Sequence, residues 1–235
     1  MANWITHTLV ADELLRHFPS LDRRAFVIGN IAPDCNVENA DWSSFTPPRE
    51  VTHFMLGEKK TSADLEGFRA RHIASRLDVS AKERSFLLGY YSHLAVDVLF
   101  MRFIRDEARL RDAFARVHSV PELHAAIAGQ PETLDTLKAV FGKNRVFADI
   151  IHFERRRLSH SPDPSYRSIL PRIKEFPDYL DFLPPGAIAR KIPIMLDRFS
   201  REPAEPSFVF FTEEEYANFL RAACDHTGSL IRACL

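Results

Sequence analysis

Apolar residues recur along most of the chain at intervals of three and four, and no segment shows the strict alternation that a half-buried strand needs. The first such stretch runs from about Thr6 to His17, with Leu9, Val10, Leu14 and Leu15 on one side, Thr6 able to cap it and Pro19 beyond its end. In SLDRRAFVIGNIAPD, Ser20 can cap a second helix whose apolar face is Phe26, Val27 and Ile31, closed by Pro33. The period then disappears. From about residue 34 to residue 60, Pro47, Pro48, Gly57 and many polar residues predict a long loop, and loops of that length in compact domains are usually functional or disordered.

Helical spacing returns in SADLEGFRARHIASRL and in SAKERSFLLGYYSHLAVDVLFMRFI. Further helices are predicted over Pro121 to Ile127, Pro131 to Leu158, after Pro164, after Pro185, and from Glu213 towards the carboxyl end, with Pro and Gly marking the breaks. REPAEPS, at about residues 201–207, reads as a linker. No internal repeat or low-complexity tract is evident. The pattern predicts an all-α protein, a compact multi-helix bundle forming one domain over residues 1–235.

Composition adds exclusions. A 46% hydrophobic share supplies a sizeable core, and the 19 Phe residues make it a bulky aromatic one. A formal net charge of -1 gives no electrostatic case for nucleic acid, which needs a surplus of Lys and Arg on one face; the cluster ERRRL at Glu154 to Leu158 reads as a solvated helix face. Asp97, Arg102 and Arg105 interrupt the most hydrophobic segment, so no transmembrane span is expected. The amino terminus lacks the features of a secretory signal, and Cys35, Cys224 and Cys234 are odd in number and unpaired in spacing, so a cytoplasmic protein with reduced thiols is expected.

Within LLGYYSHLAVD, His93 and Asp97 stand four residues apart on one helix face, among apolar neighbours, with Gly89 one turn earlier allowing another chain to approach closely. A buried aspartate needs something to neutralise it: an arginine, a histidine or a metal ion. Alone, the pair reads more readily as a hydrogen-bonded couple than as a metal site. His7 in the first helix, Asp34 after Pro33 and His53 in the long loop each have an equally plain reading as a capped, turn-forming or satisfied residue. His17, His72, His124, His160 and His226 lie in polar surroundings and read as surface residues.

Taken together, NWITH, IGNIAPD, THF and GYYSHLAVD, in that order, resemble the zinc-dependent phospholipase C family, most closely its smaller intracellular bacterial relatives, and NADWSSFTPP adds to the likeness. The resemblance covers roughly the first hundred residues well and the rest thinly. It implies an all-helical domain holding two or three zinc ions, with His7, Asp34, His53, His93 and Asp97 as ligands, Asp97 bridging two metals, and Asp34 also accepting the proton of an attacking water. Two departures stand out. The family's amino-terminal tryptophan ligand has no equivalent at Trp4, which follows Met1, Ala2 and Asn3. Its later histidine and glutamate, four apart, have no clean match either: His118 and Glu122 are separated by Pro121, so Asp149 and His152, three apart in FADIIHFERRR, are the expected replacements.

Imidazole and carboxylate suit zinc on chemical grounds, although other divalent transition metals would also fit. Paired metals can acidify a water and hold a phosphodiester oxygen. The expected function is therefore a metal-dependent phosphodiester hydrolase, an enzyme acting on a phospholipid or small phosphoester; the alternative is a non-catalytic metal-binding or scaffold protein with a reduced site. Trp42 and Phe45 either wall a substrate pocket or plug the loop onto the bundle. Substrate identity and oligomeric state are not encoded in these patterns.

Overall fold

A computed structural model describes residues 2–57, 60–201 and 203–235; residues 58 and 59 of the expected loop and residue 202 of the expected linker lie outside the described residues. Thirteen α-helices and one two-stranded ribbon are present among them. Helix α1 (Trp4–His17) and α2 (Arg23–Gly29) lead to a single 3-10 turn, Ala32–Asp34. The expected loop is partly ordered by antiparallel strands β1 (Val37–Glu38) and β2 (Phe45–Thr46) and by the short α3 (Arg49–Thr52).

Helix α4 (Leu65–Phe68) runs into a π-helical segment, Arg69–Ala74, and the long central α5 (Ala81–Phe103) follows. The remainder is α6 (Glu107–His118), α7 (Pro121–Ile127), α8 (Leu134–Phe141), α9 (Lys143–Val146), α10 (Ala148–His160), α11 (Ser165–Ser168), α12 (Ala187–Ser200) and α13 (Glu213–Arg232). No single helix among the described residues is long and apolar enough to cross a membrane; α5 and α6 qualify only as a pair, and they are bent by 51° at their junction.

Helix α5 is the axis of the fold. Ser80 caps it by accepting from the Glu83 amide, and from Ser85 to Val98 every side chain is buried. Helix α2 lies against it at Gly29 and Gly89. A Cβ on Gly89 would run into the Phe26 carbonyl oxygen and stand 3.1 Å from the Gly29 Cα, so the two backbones touch where glycine alone fits. This contact holds the end of α2, and the turn bearing Asp34 beyond it, against the face of α5 that carries His93 and Asp97. One contiguous core surrounds the axis, from Trp4 and Phe26 through Phe68, Tyr90 and Phe100 to Phe211, Tyr216 and Ile231. Burying side chains of this size stabilises by about 1.5–3 kcal/mol each.

The structure corrects several expected boundaries. Asp22, rather than Ser20, caps α2, its carboxylate accepting from the Ala25 amide. Helix α6 was not anticipated, although Leu110, Ala113, Phe114 and Val117 have helical spacing. The helix expected over residues 131–158 is three helices, broken where Gly142 takes a left-handed φ of 81° and at Phe147. The expected linker is pinned at its far end, because Ser207 and the residues after it are gathered by Asp149. His72, expected at the surface, is half-buried among Phe54, Phe68 and Phe182.

Candidate metal centre

Five of the seven residues expected as ligands converge. His7 comes from α1, Asp34 from the 3-10 turn after α2, His53 from the end of α3, and His93 and Asp97 from α5. Ligand atoms of His7, His93 and Asp97 lie within 4.8 Å of one another, as do those of Asp34, His53 and His93. His93 belongs to both groups. Asp97 stands among three imidazoles: its Oδ1 is 3.7 Å from His7 Nε2, and its Oδ2 is 3.5 Å from both His53 Nε2 and His93 Nε2. Asp34 Oδ1 is 3.4 Å from His53 Nε2.

Each ring is aimed by its surroundings. His93 Nδ1 donates to the Asn30 carbonyl at 2.8 Å, which turns Nε2 towards Asp97. His53 Nδ1 is 2.9 Å from the Thr52 hydroxyl and 3.2 Å from the Arg49 carbonyl, contacts that hold the ring with Nε2 towards the centre. Ring nitrogens tethered to backbone carbonyls on their far side are the usual arrangement for metal-bound histidines. His7 has no hydrogen-bond partner at either nitrogen, and His93 Nε2 has none. Buried nitrogen atoms left this way cost about 1–3 kcal/mol each unless something binds them.

Burial holds the His7 imidazole to a pKa of about 4, with His93 adding to the effect, so at neutral pH the ring is an uncharged donor. Its ring lies parallel to that of His93, centroids 3.8 Å apart. Around the carboxylates, Trp4 Nε1 donates to Asp34 Oδ2 at 3.2 Å and the Ala2 amide donates to Asp97 Oδ1 at 3.3 Å. The Tyr90 hydroxyl bonds the Thr52 carbonyl and so ties the turn carrying His53 to α5. Three imidazole nitrogens and two carboxylates, buried together with nitrogen atoms otherwise unbonded, form a donor set that fits zinc.

Asp149 and His152 are not part of this cluster. The buried Asp149 carboxylate accepts four backbone amides: those of Ser207 and Phe208 at 2.7 Å, and those of Phe210 and Phe211 at 3.1 Å. It organises the segment leading into α13, and its lone pairs are committed there. His152 packs edge-on against Phe153 and Phe208. The two residues share a helix face, but that face turns towards this segment.

The centre is closed. His7, His53, His93 and Asp97 are at most 1% exposed, and Asp34 has the most accessible side chain of the five. Four cavities of about 470–980 Å³ open elsewhere, and none is lined by any of the five. Helix α12 lies over this side of the molecule. Its Phe199 ring is 6.4 Å from that of Trp4, the Lys191 ammonium lies 4.8 Å from the Trp42 ring centre, and the Arg198 guanidinium lies 5.0 Å from it. Lys191 and Arg190 also pair with Glu38. Trp42 and its neighbour Phe45 therefore fasten the ribbon to α12, the plugging role of the two considered. Lys191, buried by these contacts, was not singled out in the sequence; its position one turn from apolar residues gave no sign of a partner 153 residues away.

Three histidines and two aspartates, set on helices and the turns that end them, thus form a candidate metal centre in an all-α fold. Residues 6–100 match the family described as zinc dependent phospholipase C, a segment that contains all five converging residues. The match covers under half of the chain and makes this segment similar to the zinc-dependent phospholipase C family, in agreement with the all-α fold. No curated protein and no solved structure matches the chain.

Proposed function

We propose that the protein is a zinc-dependent phosphodiester hydrolase of the phospholipase C type, with a phospholipid as the substrate class. The observation that carries the reading is the sharing of Asp97 among His7, His53 and His93 beside Asp34, within the segment that matches the family. His7, His53, His93, Asp97 and Asp34 would hold the metal ions. Bound zinc would supply Lewis acidity to a phosphoryl oxygen and lower the pKa of a water. Asp34, the most accessible of the five, would take the proton from the attacking water, and Trp4 Nε1 orients its carboxylate for that role.

Asp34, whose side chain is 9% exposed, is the edge at which a substrate would reach the centre. The free thiols of Cys35, Cys224 and Cys234 fit a reducing compartment such as the cytoplasm.

The closed centre favours one second reading, a metal-binding protein that does not turn over. Metal analysis of the purified chain, combined with hydrolysis of short-chain phosphatidylcholine and a chromogenic phosphodiester, separates the two. Zinc with chelator-sensitive release of phosphorylated headgroup supports the hydrolase. Zinc without turnover on either substrate supports the second reading, and absence of binding after zinc soaking overturns both.

A further inference from the structure

The groove between α1, α10 and α13 lies apart from the metal centre and has a volume of about 710 Å³. Its floor is apolar, formed by Leu9, Val10, Leu14, Phe18 and Leu220, with Gly228 set against Leu14 so that the two helices close beneath it. Its wall carries Arg157. The Nε of this residue is buried without a hydrogen-bond partner, and no carboxylate among the described residues lies within ion-pair distance of its guanidinium. Its Cζ lies 6.0 Å from the centre of the Tyr216 ring. Glu154, one turn earlier on the same helix, is occupied by Asn3 and Thr6.

The other charges around the groove are mostly spent. Asp12 accepts from Ser165, and Glu13 pairs with Arg16 and His17. Arg221 bonds the Asn218 side chain, while Asp225 stands on the exposed rim. Arg232 lies over the Phe18 ring. A planar guanidinium offers paired donors that match carboxylate and phosphate oxygens, and an alkyl chain would cover the apolar floor.

We propose that this groove is a second binding site, for an amphiphilic anion: a phosphate or carboxylate head held by Arg157, with an alkyl chain lying along α1 and α13. The site is independent of the zinc reading and stands or falls separately from it.

Calorimetric titration of the full chain with decyl phosphate tests it, with decanoate, inorganic phosphate, decanol and decyltrimethylammonium as the other arms. Decyl phosphate and decanoate should bind. Arg157→Met should weaken both at least tenfold, Arg157→Lys should retain part of the affinity, and Ala217→Trp, which fills the groove, should abolish binding. Zinc content should be the same in all variants, which distinguishes loss at the groove from loss at the metal centre. Thermal melts check folding; the Arg157 side chain makes no hydrogen bond to a described residue, so its replacement should leave the midpoint near that of wild type, and Ala217→Trp carries the test if it does not. The proposal is overturned if decyl phosphate fails to bind or binds Arg157→Met and Ala217→Trp as it binds wild type. It is equally overturned if inorganic phosphate, decanol or the ammonium compound binds as tightly as decyl phosphate.

Discussion

The imidazoles of His7 and His93 lie face to face with an interplanar angle of 6°. Two rings at that separation can stack when neutral but repel when both are charged, and His93 is accordingly one of the causes that hold the pKa of His7 down. The depressed value gives a stability prediction for metal-free protein. In the folded state His7 takes up its proton near pH 4, against an ordinary value of 6.5 in the unfolded chain, so between these limits the unfolded state binds more protons. Stability attributable to His7 is complete above about pH 6.5 and is lost as pH falls towards 4. The loss amounts to about 3 kcal/mol over that window. Denaturant melts of chelated protein at pH 7 and pH 4.5 should show it, and His7→Gln should shallow the slope; an unchanged slope would mean that the ring is not held neutral by this environment.

Metal should stabilise strongly. The cluster is preorganised in the folded chain and has no counterpart in the unfolded one, so binding at a thousand times the dissociation constant adds about 4 kcal/mol. Chelator should lower the melting midpoint of the zinc-loaded protein, and zinc should restore it. His93→Ala should abolish this difference, since His93 belongs to both ligand groups. A chelator shift that survives in His93→Ala would place the stabilising metal somewhere else.

Asp149→Asn and Asp97→Asn should fail in opposite ways. Removing one carboxylate oxygen from Asp149 turns two of its four backbone bonds into unfavourable amide contacts, a loss of about 3 kcal/mol or more. Zinc content should nevertheless be unchanged. Asp97→Asn should lower zinc content sharply while costing less stability in the metal-free protein, because it removes a buried charge. Zinc loss from Asp149→Asn, in protein shown to be folded at the assay temperature, would restore Asp149 to the ligand set.

The different fates of these two aspartates show what the chain makes legible. His93 and Asp97 are local: four residues on one helix place them together, and Gly89, one turn earlier, marks the close helix crossing that brings Asp34 to them. Asp149 and His152 have a comparable spacing, but the partners of Asp149 are backbone amides about 60 residues away, and amides leave no mark in a pattern of side chains. Helix α6 was legible in the spacing of Leu110, Ala113, Phe114 and Val117, but its many arginines mask the apolar stripe. The fastening of the ribbon to α12 by Lys191, Arg198 and Trp42 depends on contacts across about 150 residues and could not be read from periodicity at all.

Gly89→Ala tests the crossing itself. The added methyl meets the Phe26 carbonyl oxygen, a backbone atom that cannot turn aside as a side chain would. Overpacking of a tight core costs about 1–3 kcal/mol, and the upper end is expected here. Because α2 would be pushed away from α5, zinc affinity should fall with stability; a variant as stable as wild type would mean that the helices have room to separate.

Asp34→Asn addresses the chemistry. Asp34 is bonded at Oδ2 by Trp4 Nε1 and lies 3.4 Å through Oδ1 from His53 Nε2, so its carboxylate spans the cluster and its most accessible edge. An amide in its place keeps the shape and can coordinate weakly through its oxygen, yet it cannot accept a proton from water. Proton transfer by a positioned side chain is worth about 10²–10⁴ in rate. Turnover of a chromogenic phosphodiester should therefore fall by at least about a hundredfold, while more than a trace of zinc is retained. Trp4→Phe, which removes the orienting bond and keeps the buried ring, should lower turnover less and leave zinc content unchanged. Full activity in Asp34→Asn would remove Asp34 from proton transfer while leaving the hydrolase reading in place; equal losses of zinc and turnover would make Asp34 a ligand alone.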